Sequence, residues 1–220
     1  MHTQAVEDYL KNIYELQASA EKVSTTDLAE RLGVAPASVT GMVKKLAAMK
    51  LLKHEPYHGV LLTKAGEKIA LEVIRHHRLV ESYLTEALGV PWDKVHEEAD
   101  KWEHVLSEEM EDRISAMLGD PTTDPHGAPI PARDGSLPKT SLRRLSDLEP
   151  GERAVVAEVS DHDPELLRYL GEMGLFPQTK LRLISAAPFQ GPLTIEIGGR
   201  EQAVGREVAG QVLVESGVKA

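Results

Sequence analysis

The side chains best suited to coordination chemistry cluster between His76 and His104. His77 and Glu81 stand at i and i+4, the interval that stacks two side chains on one face of a helix. His96, Asp100, Glu103 and His104 repeat that relation through successive i, i+3 and i, i+4 pairs. At 100° per residue these four fall within about 100° of one another around a helix axis. Imidazoles mixed with carboxylates suit a hard or borderline divalent ion such as Mn²⁺ or Fe²⁺. A solvated charged face gives the same pattern, and any single pair is most often that. Trp102 beside Glu103, with Ala99, Val105 and Leu106 around it, brings some of these acids toward the edge of a core. Spacing alone leaves both readings open. Cysteine is absent, which removes disulfides, thiolate ligands and cysteine nucleophiles together. No nucleophile motif, glycine-rich phosphate loop or HExxH sequence accompanies the cluster, so a metal-dependent hydrolase has little beyond the ligands to support it. A sensor of organic ligands would want an aromatic pocket, yet Phe, Trp and Tyr make up only 4% of the chain.

The net charge of −10 argues against a polyanionic partner until its distribution is read. Residues 1–64 hold 8 Lys and Arg against 7 Asp and Glu, whereas residues 65–120 hold 6 against 14. The first segment can therefore approach DNA, and the second is a store of carboxylates. Apolar residues at 41% of 220 allow a real core, and no run of 18 apolar residues offers a membrane span. Residues 1–20 lack a basic start and carry Glu7, Asp8 and Glu15, which reads as no signal peptide. The absence of cysteine fits the cytoplasm.

These side chains need elements to hold them. Residues 4–18 carry a helical stripe through Val6, Tyr9, Leu10, Ile13 and Leu16. Ser24 followed by Asp27 reads as a capping box for a short helix that Gly33 stops. Pro36 suits the first turn of the next helix, whose apolar side is Val39, Met42, Val43 and Leu46. Its other side carries Ser38, Thr40, Gly41, Lys44 and Lys45. Two short apolar runs flanking residues 55–59 read as a β-hairpin. Residues 24–62 thus describe a winged helix-turn-helix whose second helix is lined by small polar residues that can sink into a major groove. Ser38, Thr40, Gly41 and Lys44 are its candidate DNA contacts; a winged helix used for protein contacts is the alternative. One long helix is expected from Lys64 to about Leu88 and a second over roughly 92–118. The stretch 119–138, rich in Pro, Gly and Asp, reads as a loop or linker. Beyond it, β-branched runs at 154–159, 181–184, 193–197 and 212–214 predict a small β-barrel in which only 164–171 is helical.

The stretches Arg75–Thr85 (RHHRLVESYLT), Lys94–Met110 (KVHEEADKWEHVLSEEM) and Asp124–Pro131 (DPHGAPIP), with Glu7–Leu16 (EDYLKNIYEL), resemble the diphtheria toxin repressor family of metal-activated transcriptional regulators. The resemblance covers nearly the whole chain. It implies a winged helix-turn-helix over 1–64, a helical dimerisation and metal-binding domain over 65–138 ending in the linker, and a small SH3-like domain over 139–220. The fold is then mainly α in its N-terminal half. The last domain is similar to an iron-transport accessory protein, notably at Leu170–Leu175 (LGEMGL), and the resemblance leaves open whether it donates ligands or binds a partner. The resemblance further implies a primary metal site of Asp8, Asp100, Glu103 and His104, and an ancillary one of His77, Glu81 and His96 joined by Glu158 and Asp161. Iron-type members have Met at the position of Asp8 and Cys at that of Asp100. Two carboxylates in place of two sulfur ligands harden the site and favour Mn²⁺ over Fe²⁺. Short manganese members carry an acid at the position of Lys11; here Lys11 reads as a solvated helix residue. The implied protein is no enzyme. It is a cytoplasmic homodimer that binds Mn²⁺ and then a palindromic double-stranded DNA operator, repressing metal-uptake genes, with no membrane and no small-molecule substrate. An Fe²⁺-responsive regulator is the alternative.

Overall fold

The computed structural model describes residues 3–18, 22–55 and 59–216. They form two compact units. The first runs through His77 and takes in Trp102–Leu106 and Pro131–Ser136; the second consists of Arg78–Lys101, Ser107–Ile130 and the chain from Leu137 onward.

The first unit opens with α1 (Gln4–Gln17), whose stripe of Val6, Tyr9, Leu10 and Ile13 is buried. The Ser24 hydroxyl accepts from the Asp27 N–H at 3.0 Å and starts α2 (Thr25–Leu32), which Gly33 closes at φ 62°. Pro36 begins α3 (Pro36–Ala48), which buries Val39, Val43 and Leu46. Strands β1 (Leu52–Glu55) and β2 (Gly59–Leu62) pair antiparallel with Leu52 opposite Leu62. The hairpin tip expected at Pro56, Tyr57 and His58 lies outside the described residues. Leu10, Ile13, Leu28, Val39, Val43, Leu46 and Val60 are fully enclosed and fasten helices to hairpin in one core. This is the winged helix-turn-helix arrangement. Helix α4 spans Lys64–Leu88, the bounds its periodicity predicts.

In the second unit, the single helix expected over 92–118 is two: α5 (Val95–Trp102) and α6 (Glu108–Met117). Ser107 explains the break, because its hydroxyl accepts from the Met110 N–H and caps a new helix with Glu108, Glu109 and Glu111 in the first turn. The apolar period continues across the break, and for that reason it read as one helix. The segment expected as a linker is not loose either. The Asp124 carboxylate accepts from the N–H groups of His126 (2.8 Å) and Ala128 (3.0 Å), folding 124–128 into a turn whose Asp124, His126 and Ala128 are buried.

The C-terminal part is a six-stranded antiparallel sheet in the order β3-β8-β4-β5-β6-β7. Its strands are β3 (Arg143–Arg144), β4 (Arg153–Val159), β5 (Lys180–Ala186), β6 (Leu193–Ile197), β7 (Arg200–Val204) and β8 (Val212–Ser216). Helix α7 (Pro164–Glu172) covers it through Leu167 and Leu170, and a short α8 (Arg206–Ala209) follows β7. Strands β3 and β7 and helix α8 escaped the sequence reading because they are short and mostly polar. No described helix is long and apolar enough to cross a membrane.

Gly127 locks the 124–128 turn against β4. At φ +90°, a Cβ there would lie 1.9 Å from the Ala157 carbonyl oxygen, and the His126 carbonyl accepts from the Val159 N–H at 2.9 Å. Gly127→Ala should lower stability to urea by about 1–3 kcal/mol, the cost of overpacking. An unchanged unfolding midpoint would show that β4 and the turn are not rigidly packed.

Candidate metal centre

The first unit gathers Asp8, Glu103 and His104 so that one ligand atom from each lies within 4.8 Å of the others. Burying the apolar stripe of α1 turns Glu7, Asp8 and Lys11 toward the Trp102–Leu106 segment. His104 Nε2 lies 2.8 Å from Asp8 Oδ1 and 3.2 Å from Glu103 Oε1. Its Nδ1 lies 2.7 Å from Glu7 Oε2, so Glu7 orients the ring with Nε2 toward the other two acids. Burial raises the Asp8 pKa and Glu103 adds to that, against the opposing pull of His104 and Lys11.

Glu103 is the buried member, 2% exposed. Its Oε2 accepts from Lys11 Nζ at 2.7 Å and touches His77 Nδ1, and its backbone carbonyl meets His76 Nδ1 at 3.1 Å. Lys11 is therefore no solvated helix residue: it is 7% exposed, with Nζ also 2.9 Å from His77 Nδ1. The apolar flank expected of Trp102 and Val105 is absent too, since they are 39% and 80% exposed. Because α5 ends at Trp102, Glu103 and His104 sit in the turn beyond it and share no helical face with His96 and Asp100.

The second unit holds another cluster. Glu81, 0% exposed on α4, approaches His96 Nδ1 at 3.2 Å through Oε1, and Asp161 Oδ2 reaches the same nitrogen at 3.5 Å. Asp100, half exposed on α5, lies 3.9 Å from His96 Nε2. Glu81, Asp124 and His126 converge as a fully buried group. His126 Nε2 donates to the Trp92 carbonyl at 2.8 Å, and its Nδ1 faces Glu81 Oε2 at 3.6 Å. Nδ1 of His126 and Oδ2 of Asp124 are buried without a hydrogen bond. Once Nδ1 gives up its proton, these two atoms and the Glu81 carboxylate form an oxygen-rich, nitrogen-containing donor set that fits a divalent ion, with Arg78 Nε 3.5 Å from the same Oδ2. Burial and Glu81 raise Asp124 to about 7 against the pull of Arg78 and His126. Glu158, half-buried on β4, joins no group of converging ligand atoms among the described residues, whereas Asp161 does.

Relatives decide what kind of protein carries these clusters. The sequence matches the family models for an iron-dependent repressor N-terminal DNA binding domain over residues 1–60, its metal binding and dimerisation domain over 63–132, and a FeoA domain over 143–216. It is 33% identical to the iron-dependent repressor IdeR of Mycobacterium leprae, over 95% of this chain and 96% of the relative. The chain belongs to the diphtheria toxin repressor family.

The fold also matches a manganese-dependent transcriptional repressor in complex with manganese (TM-score 0.91, 39% identity, 96% of this chain and 99% of that one). The manganese regulator SloR matches at TM-score 0.80 and 35% identity, over 96% of this chain and 98% of that one. As a member of this repressor family the chain is a metal-dependent transcriptional regulator and not an enzyme, and its last domain is the family's FeoA-type, SH3-like one. Sequence reasoning missed Glu7, Asp124 and His126 as parts of the clusters. Glu7 had no signal beyond adjacency to Asp8. Asp124 and His126 stood in the DPHGAPIP stretch, where a histidine between two prolines was itself a signal.

Burial alone would lower the His96 pKa, but Asp161 and Glu81 reverse that and raise it from 6.5 to about 10. The stability this contributes is complete below the unfolded pKa and disappears as pH rises toward the folded one. Chelated protein should accordingly melt at progressively lower temperature between pH 6.5 and about 10. His96→Gln should flatten that slope, and a variant with the parent's slope would show that His96 is not the titrating group.

Proposed function

We propose that the protein is a Mn²⁺-activated repressor of metal-uptake genes that binds a palindromic operator as a cytoplasmic homodimer. The observation that carries it is Asp8: a carboxylate on the first helix of the DNA-binding part faces Glu103 and His104, in a chain with no cysteine to supply a thiolate. Asp8, Glu103 and His104 then hold the primary ion, with Asp100 as the fourth ligand that the resemblance supplies. The ancillary ion belongs to Glu81, His96 and Asp161, with Asp124 and His126 as further donors. The resemblance adds His77 and Glu158 to that set. An all-oxygen-and-imidazole donor set favours Mn²⁺ over softer ions, and Fe²⁺ is the second reading because the IdeR relative is named for iron.

When bound, the ion supplies the positive charge that lets Asp8 and Glu103 lie side by side. Without that charge the two carboxylates repel, and α1 has less reason to stay against the Trp102–Leu106 segment. The residues thus favour one arrangement of the DNA-binding elements over others, which is all a ligand-controlled switch requires. We further propose the boundaries 1–64, 65–138 and 139–220 for its domains. Exposed Leu88, Met110 and Met117 in the dimerisation part support self-association. Retardation of genomic fragments by the protein should appear with Mn²⁺ and vanish with chelator. Equal retardation in both would overturn the reading.

Ser38, Thr40, Gly41 and Lys44 are all exposed on α3, which suits contact with a major groove. The Thr40 hydroxyl donates to the Pro36 carbonyl at 3.0 Å, leaving its methyl as the outward contact. Nothing lies within 4 Å of a Cβ built on Gly41. Gly41→Ala should therefore stabilise the free protein by about 0.5–1 kcal/mol and weaken DNA binding, because the added methyl meets the duplex. Lys44→Ala should reduce the slope of log affinity against log salt by about one on every duplex. A Gly41→Ala protein that is stabilised yet binds DNA unchanged would move the contact to another surface.

A further inference from the structure

Lys11 is a buried charged group in the first unit that neither the ligand set nor the DNA surface uses. Its ammonium is deeply buried, which is costly unless several partners answer it. Its partners include an imidazole nitrogen, His77 Nδ1 at 2.9 Å, and a carboxylate oxygen, Glu103 Oε2 at 2.7 Å. Lys can only donate, so Glu103 Oε2 accepts from Nζ, while His77 Nδ1 accepts from Nζ in one tautomer and donates to the same Oε2 in the other. A nitrogen and a carboxylate oxygen converging on one point is the arrangement by which proteins hold a cation, and here the cation is covalently attached to α1. The other oxygen of the same carboxylate, Oε1, faces His104 Nε2 at 3.2 Å, on the side where Asp8 lies. Glu103 thus presents one oxygen to Lys11 and one to the Asp8–His104 end.

Resting on the metal-regulator reading above, we infer that the Lys11 ammonium is the resident cation of the His77–Glu103 end of this cluster, confining an added divalent ion to the Asp8–His104 end. Two consequences follow. Glu103 keeps a counter-charge when metal is absent, so the charge left for an ion to answer is mainly that of Asp8. Glu103 also offers an ion one oxygen only, which leaves room for other ligands around it.

The test uses the full chain. Lys11→Met removes the charge at similar length, and Lys11→Arg retains a cation. Each is stripped of metal, dialysed against Mn²⁺, and counted by elemental analysis and calorimetric titration beside the parent. Lys11→Met should bind one more Mn²⁺ per subunit, and Lys11→Arg should keep the parent's number. Metal-free Lys11→Met should also melt below the parent and show a larger rise in Tm on adding Mn²⁺. Equal counts and equal rises in parent and Lys11→Met overturn the inference, as does an extra ion in Lys11→Arg. Should Lys11→Met not fold, anomalous diffraction from Mn²⁺-loaded parent crystals decides. Manganese beside Asp8 and His104 with Lys11 still on Glu103 supports the inference; manganese between His77 and Glu103 with Lys11 displaced overturns it. A parent that binds no Mn²⁺ in any of these measurements instead refutes the metal-regulator reading.

Discussion

The buried carboxylate of Glu103 is the constraint around which the first unit is arranged. A carboxylate this enclosed is unfavourable by several kcal/mol unless cations and donors surround it, far more than the cost of ordering any one neighbour. Lys11 and His77 meet one oxygen, His104 meets the other, and His76 anchors the backbone of the same residue. Those partners come from α1, from α4 and from the turn after α5. The winged-helix core does not need this carboxylate, because Leu10, Ile13, Val43 and Leu46 close without it. What the carboxylate does is tie the polar flank of α1 to a segment about 90 residues further along. A charge that must be neutralised is a good place for a switch, since its neutralisation can be shared between the protein and an ion.

The breaking of the helix at Trp102 follows from the same requirement. Had α5 continued, Glu103 and His104 would project at 100° to one another from a rigid rod. Ending the helix lets both turn toward Asp8, and Ser107 then restarts it. Glu7 fixes the ring of His104 from the opposite side. The exposure of Trp102 and Val105 shows the price of this turn, for the apolar residues that should have faced a core are released to the surface.

How much of this was legible depends on whether the interactions are local. α4 could be read from Lys64 to about Leu88 because its stripe repeats every three to four positions. The capping of α2 by Ser24 was equally local. The 92–118 helix failed because periodicity persists across a break and cannot distinguish one helix from two in register; only the cap at Ser107 could. Side chains within the metal clusters were named mostly through family resemblance, and spacing alone would have joined Glu103 and His104 to the wrong face. Lys11 was misread for a plain reason. A lysine on a helix flank is ordinarily solvated, and nothing within α1 reveals that His77 and Glu103 arrive to bury it. Long-range partners are invisible to a pattern that looks only a few residues either way.

The two clusters differ in how they balance charge, and that difference bears on how they respond to metal. At the first, Lys11 already answers Glu103, so the unmet charge is concentrated on Asp8, whose carboxyl burial has made harder to ionise. At the second, imidazoles join Arg78 as cations: His96 is raised to about 10 by Asp161 and Glu81, and His126 to about 9 by Glu81 and Asp124, in both cases against burial. These rings hold protons because the acids around them outnumber Arg78, which stands 3.5 Å from Asp124. An ion that takes their lone pairs must release those protons first, so its apparent affinity there climbs with pH. The first cluster is answered in part by an ammonium carried on α1, and the second by imidazoles whose protons an ion has to displace.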